Sequence, residues 1–326
     1  STGQATFTLV GSAESKPAAV TEPVSSSPIS QENKSVPKAP KITSDTNPNQ
    51  DTWYNYSDPS FSWALEKGVT AAKLLYDSKP NSQPTITYSP AISGKELSGV
   101  SDGIYYLHVQ VKNNQGWSPV SHFRFKIDTV KPDYFNVTEI PRDDKTNPVA
   151  LFKFEANDKV SGIDRYAVQI DNGEAKVWQG ASDGIFKTPA LKPGRHSLIA
   201  KAIDQAGNYL IDSAEFNIQA ILPPVITDYP QTIENGNTLI LKGNTLPGGK
   251  ISVYFRKTDD EPQRLETKSG EDGNFTLVVD KGLKEGVYTV WATVVDSRGA
   301  ESGPSDEVKI VVKKSVLTQA GSGIIS

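Results

Sequence analysis

Residues 102–118 read DGIYYLHVQVKNNQGWS, and the pattern returns twice, as PGRHSLIAKAIDQAGNYL over 193–210 and EGVYTVWATVVDSRGAE over 285–301. The three stretches superpose without a gap. Gly103, Gly194 and Gly286 coincide, followed by Tyr105, His196 and Tyr288, then Asn113, Asp204 and Asp296, then Gly116, Gly207 and Gly299. The leading glycines lie 91 and then 92 residues apart. Repetition at this period predicts three small β-domains in a row.

Within each copy the apolar positions alternate. Leu107, Val109 and Val111 match Leu198, Ala200 and Ala202, and then Val290, Ala292 and Val294, as one inward row of a half-buried antiparallel strand. Tyr106, His108, Gln110 and Lys112 fall on the opposite face, which is expected to be solvated. Tyr105 and Tyr288 stand where sandwich domains place a corner tyrosine bonded back to nearby backbone, and His196 is expected to fill that place only imperfectly. The run 204–207 reads as a tight turn in which Gly207 takes positive φ.

The chain has 326 residues, a net charge of -4, and neither Cys nor Met. This charge lacks the basic field that nucleic acid requires. The absence of Cys suits a bacterial or archaeal surface protein, and the absence of Met at position 1 fits a processed chain or a fragment. No apolar run approaches the ~18 residues of a membrane helix, so no membrane insertion is expected within this fragment.

The repeats give five segments. Residues 1–40 hold a stray strand at 4–11 and then a Ser/Pro/Ala linker over 12–40, whose seven Ser, five Pro and no aromatic residue cannot bury a core. Residues 41–129, 130–220 and 221–313 are the three domains, and 314–326 is a polar tail. In the first domain, 61–63, 74–76, 85–88 and 123–127 read as strands with Trp63 in the core. The second has strands at 151–154, 166–170 and 214–218, with a hairpin turn at Asp171-Asn172-Gly173. The third has strands at 238–241, 251–255, 274–279 and 308–312. No helical periodicity is sustained, and 64–75 is broken at Gly68.

KAIDQAGNY in the second copy resembles the A-x-D-x-x-G-N signature of bacterial Ig-like domains. The run from Asn157-Asp158 through Gly162-Ile163 to Tyr166 resembles the D-x-x-S-G-I-x-x-Y opening of such modules. The first domain, with FSW at 61–63 and NNQGWSPVSHFRF at 113–125, looks like a fibronectin type III variant. The third is similar to a further bacterial Ig-like subtype. The resemblance implies an all-β chain of tandem antiparallel sandwiches, elongated, on the surface of a prokaryotic cell. In such proteins a cohesin-like domain often precedes the linker, and 4–11 is then its last strand.

The candidate chemistry is sparse. Gly99–Gly103 and Gly180–Gly184 both match G-x-S-x-G, but a nucleophile elbow needs a helix after the serine, and neither context offers one. His108, His122 and His196 are the only histidines and lack zinc spacing; the first two are expected on neighbouring strands, solvated. Asp128, Asn157, Asp158, Asp204 and Asn208 lie near domain ends, where calcium would stiffen a rod, yet turn formation explains each of them. Trp53, Tyr54, Tyr56 and Trp117 are candidates for a stacking platform, against the plainer reading that they cover the end of the core. Trp291 falls on an outward face, and 259–261 reads as a solvated acidic hairpin tip.

The expectation is therefore a non-enzymatic spacer of a cell-surface protein, with no catalytic, cofactor-binding or metal residue assigned and no cofactor. The partner class left open is a cell-surface protein or a glycan, with no nucleic acid. The alternatives are an adhesin or carbohydrate-binding array and the accessory domains of a secreted hydrolase.

Overall fold

The computed structural model describes residues 35–258, 260–280 and 283–314. The strand expected over 4–11, the linker up to 34 and nearly all of the tail lie outside the described residues. Every element described is a β-strand.

The first domain holds β1 (Trp53–Tyr54), β2 (Ser60–Ser62), β3 (Ala71–Asp77), β4 (Ile86–Tyr88), β5 (Gly94–Glu96), β6 (Gly103–Asn113), β7 (Gly116–Trp117) and β8 (Ser121–Ile127). Its large sheet runs β1-β8-β6-β3-β4, with β7 on β6, and β2-β5 forms the other layer. Phe61 of β2 reaches Phe123 and Phe125 across the core, with ring centres 5.6 and 5.0 Å away. Trp63 is buried, and its indole N–H donates to the Ile92 carbonyl at 3.0 Å.

The second domain holds β9 (Tyr134–Glu139), β10 (Leu151–Asn157), β11 (Ile163–Ile170), β12 (Lys176–Trp178), β13 (Ile185–Lys187), β14 (Gly194–Asp204) and β15 (Tyr209–Ile218). Its sheets are β13-β10-β9 and β12-β11-β14-β15. They close on Phe152 and Phe216, 5.1 Å apart edge to face. The expected turn at Asp171 joins β11 to β12, which pair antiparallel, and Asp171 itself takes φ 50.

The third domain holds β16 (Val225–Asp228), β17 (Thr232–Glu234), β18 (Leu239–Asn244), β19 (Lys250–Lys257), β20 (Gln263–Lys268), β21 (Asn274–Val279), β22 (Gly286–Val295) and β23 (Val308–Lys313). Its sheets are β16-β18-β21 and β17-β23-β22-β19-β20. In the first and third domains a short N-terminal strand pairs parallel with the last strand, β1 with β8 and β17 with β23.

The repeated stretch is the central strand of each larger sheet: β6, β14 and β22. Their inward rows are buried throughout. Truncating a residue there, such as Leu198 to Ala, costs about 2–5 kcal/mol, which accounts for the apolar row in every copy. The leading glycines have φ 145, 143 and 151, a backbone region that side chains avoid. The same residue type recurs because only Gly starts this strand without strain.

Two expectations change, one on the outward face and one at the linker. His108 is fully buried rather than solvated, because His122 and Asp77 hold its two ring nitrogens and Tyr106 stacks beside it. Residues 35–40, read as the end of the linker, lie along the first domain. Pro37 and Pro40 are buried there, and the Ser121 hydroxyl donates to the Pro40 carbonyl.

Candidate functional site

The turn that ends each repeated strand is an Asx turn. Asn113 Oδ1 accepts from the Gln115 and Gly116 N–H groups, Asp204 Oδ1 from Ala206 and Asn208, and Asp296 Oδ1 from Arg298 and Ala300. An extended strand followed by this turn carries the Asx residue to the end of its sandwich. In all three domains that end meets the segment leading into the domain.

At the first turn, the Asn113 amide donates to the Ser35 carbonyl at 2.8 Å. At the second, the Asn208 amide donates to the Asp128 carbonyl at 2.9 Å, joining the second domain to the last residues of the first. At the third, the Arg298 guanidinium bridges Asp296 of its own turn and Asp144 of the second domain, and also reaches the Thr146 hydroxyl at 3.2 Å. Asp144 is held down at about 2 by the Thr146 hydroxyl and Arg298. Burial alone would raise Asp296, but the Ala300 N–H and Arg298 keep it below the ordinary carboxylate range.

The joint between the first two domains is built differently. Asp128, Asp158 and Asp204 place one carboxylate oxygen each within 4.8 Å of one another. Asp158 sits on the loop between β10 and β11, where its Oδ1 accepts from the Val160, Ser161 and Gly162 N–H groups at 2.7–3.0 Å. This bonding is the physical content of the D-x-x-S-G-I run. Asp204 Oδ2 accepts from the Asn208 amide at 2.9 Å. Asp128 is fully buried; Oδ1 takes the Val130 N–H, and Oδ2 has no partner. Burial pushes its carboxyl above the ordinary value, against the Ser161 hydroxyl and the Val130 N–H, and the Asp158 and Asp204 charges push the same way. Of the five residues noted near domain ends, the structure brings four to this joint. Asn157 turns away to donate to Asp133 at 3.0 Å. Ser161 is the serine of that run, but the sequence gives it no role at the joint, because nothing in a turn motif separates a hydroxyl facing a joint from one facing water.

The corner positions reverse an expectation. His196 makes the corner bond fully: Nε2 lies 2.8 Å from the Lys192 carbonyl, four residues upstream, as the Tyr288 hydroxyl lies 3.0 Å from the Lys284 carbonyl. Its Nδ1 also meets Asp171 at 2.8 Å. A hydroxyl and a ring N–H of similar reach satisfy the same carbonyl.

Two facing sheets, the corner bond and the turn beyond the central strand belong to one architecture. The chain is a tandem array of Ig-like or fibronectin type III-like sandwiches. No protein-family model and no curated protein matches it. Among solved structures it is similar to a tetra-tandem repeat in the extending region of a large adhesion protein, at 14% identity and a TM-score of 0.30, over 85% of this chain and 75% of that one. It is also similar to the chicken CNTN1 FN1-FN3 domains, at 11% identity and a TM-score of 0.28, over 86% of this chain and 100% of that one. A third likeness, to the Clostridium thermocellum CbhA fibronectin(III)-like modules, has 18% identity and a TM-score of 0.34, over 55% of this chain and 94% of that one.

The array does not assemble the aromatic platform considered above. Trp53 pairs with Lys126, opposite Ile104 near the start of β6, whereas Trp117 pairs with Lys112 at its far end. Eight residues of strand separate the two places by about 27 Å. Each ring instead sits beneath lysine: Lys126 is 5.7 Å from Trp53, and Lys73 is 4.6 Å from Trp117. Trp291 stacks on Tyr254 at 5.4 Å under the Arg256 guanidinium. Neither G-x-S-x-G run forms an elbow, since Gly103 starts β6 and Gly184 leads into β13. At the β19–β20 hairpin Asp260 and Glu261 are exposed, and Asp259 lies outside the described residues.

Proposed function

We propose that this chain is a non-catalytic spacer of a prokaryotic cell-surface protein, holding other domains at a distance from the cell. The observation that carries this reading is the use made of the repeated turn. In each domain it is committed to what comes before that domain, through Asn113 to Ser35, Asn208 to Asp128 at the end of the first domain, and Arg298 to Asp144 on the β9–β10 loop of the second. The residues common to all three copies fold the strand or make the joint, and the copies share no set of polar groups suited to catalysis.

Small-angle scattering of the whole chain tests the reading. An 11-residue central strand such as β14 spans about 37 Å, so three sandwiches end to end extend about 110 Å. A compact globule of this length has a radius of gyration of about 20 Å. The expected result is an elongated particle with a radius of gyration well above that value. A globular profile overturns the spacer reading.

A further inference from the structure

At the joint between the first two sandwiches three carboxylates meet without a cationic partner. We propose that Asp128, Asp158 and Asp204 form a calcium site there. The proposal does not depend on the spacer reading.

The first support is geometric. Calcium binds oxygen at about 2.3–2.6 Å, so oxygens on opposite sides of one ion lie about 4.8 Å apart, and neighbouring ones lie closer. Three carboxylate oxygens mutually within 4.8 Å fit around one such ion. The second support is the orphaned Oδ2 of Asp128. Turn formation accounts for the bonds of Asp158 and Asp204, but it leaves this fully buried oxygen unpaired. Burying a carboxylate oxygen without a partner is costly, and buried charges in folded proteins are normally paired or bound to metal. The buried Ser161 hydroxyl lies beside Asp128, near enough to favour its charged form, yet no hydrogen bond of ordinary geometry joins the two, and the hydroxyl has no other partner. These are two of the three such side-chain atoms among the described residues, and both sit at this joint.

The third support is the contrast with the next joint. There the turn aspartate, Asp296, is neutralised by Arg298, two residues further on. The same position in the second copy is Ala206, and no ion pair of the described residues involves Asp128, Asp158 or Asp204. Three carboxylates, from the end of one domain and from a loop and a strand end of the next, converge with no cationic side chain paired to them among the described residues. The Ser161 hydroxyl and water complete the oxygen shell, which suits calcium's irregular six to eight ligands better than magnesium's strict octahedron.

The test is calorimetric titration of the whole chain with calcium chloride after chelation, paired with thermal unfolding in calcium and in EDTA. We expect one calcium per chain and a higher melting temperature in calcium, with a smaller rise in magnesium. Asp128→Asn is expected to weaken calcium binding by about tenfold or more. In EDTA it melts no lower than the parent, because it removes one of three mutually repelling charges. Asp158→Asn, which retains an acceptor oxygen for the loop N–H groups, is expected to weaken calcium in the same way and checks the result should Asp128→Asn misfold. No binding heat with no melting shift overturns the proposal, as does calcium binding unchanged in both variants. An equal response to magnesium overturns the assignment to calcium. Scattering decides the spacer question separately.

Discussion

His196 faces two acceptors, the Asp171 carboxylate at Nδ1 and the Lys192 carbonyl at Nε2. Both nitrogens donate only when the ring is protonated. Burial pushes the imidazole down, but the carboxylate and the carbonyl outweigh it and leave the group above its ordinary value. A raised histidine stabilises the fold fully below its unfolded value of about 6.5, and that contribution is lost as pH rises through the folded value. Asp171, held low first by His196 and then by the Ser197 N–H, contributes above about 4 and loses it as pH falls further. The second domain should therefore be most stable between about pH 4 and 6.5 and weaken toward pH 8. His196→Tyr should keep the corner bond, as Tyr288 does in the third domain, and flatten the melting profile over that range. In the first domain the sign is opposite. His122 is exposed, but its Nδ1 meets His108 Nδ1 at 2.6 Å; desolvation at that contact, and then the His108 charge, push it down, so its neutral form is favoured and stability is lost as pH falls below about 6.5. Domain-resolved unfolding should show acidification from about pH 7.5 to 5.5 lowering the first transition while raising the second. If both transitions fall the His196 assignment is refuted, and if both rise the His122 assignment is refuted. Sequence alone locates His108 and His122 on neighbouring strands. It misses the burial of His108, because alternation reports which face a side chain takes and not what closes over that face.

The central strands were legible because a row of apolar residues at every second position has one physical meaning, burial of one face. Short edge strands carry no such row. β9, β13, β16 and β17 have largely exposed or half-buried side chains, and backbone pairing with a neighbour defines them. A second device is equally local and equally hidden. In the second domain β15 pairs with β14 along ten positions, beginning at Tyr209. In the first and third domains the chain after the turn leaves the ladder near Pro119 and Pro304, and serine hydroxyls replace the missing carbonyls. Ser118 Oγ accepts from the Val111 N–H at 3.1 Å, Ser302 Oγ from Val294 at 2.9 Å and Ser305 Oγ from Ala292 at 2.9 Å. Ser302→Ala leaves a buried N–H unpaired and should cost about 1–3 kcal/mol in denaturant unfolding. A loss no greater than at an exposed serine would show that water substitutes freely. The leading glycine gives the matching backbone test. Gly194 has φ 143 and open space around the site of a Cβ, so Gly194→Ala probes conformation without a clash. The expected cost is about 1–3 kcal/mol, and a neutral result would remove the stated reason for glycine at all three leading positions.

Across the molecule the two joints solve one problem by different electrostatics. Each sets the turn of a following domain against the one before, yet one gathers carboxylates and the other an Arg298 bridge. Contacts between Asp128 and Asp204, or Asp144 and Arg298, span long stretches of chain and follow no periodicity: nearness to a domain end marks the acidic residues of the first joint without showing that they converge, and nothing in the sequence marks Asp144 and Arg298. The second joint also relies on backbone: the Ile221 N–H donates to the Glu301 carbonyl at 3.1 Å, and Ile221 bridges Ser302 in parallel. Exposed ion pairs add little to folding stability, so Arg298→Ala should leave the melting temperature nearly unchanged. Its effect belongs to orientation. With one spin label on the second domain and one on the third, the distance distribution should broaden in the variant. High salt should broaden the parent distribution by screening the exposed charges. Acid acts late: Asp144 sits at about 2, so its contribution is complete above its unfolded value near 4 and disappears as pH falls through about 2. The distribution at this joint should therefore stay fixed from pH 8 down to about 4. Broadening already at pH 6, or a variant as narrow as the parent, would mean that the backbone contacts at Ile221 hold the joint without the ion pair.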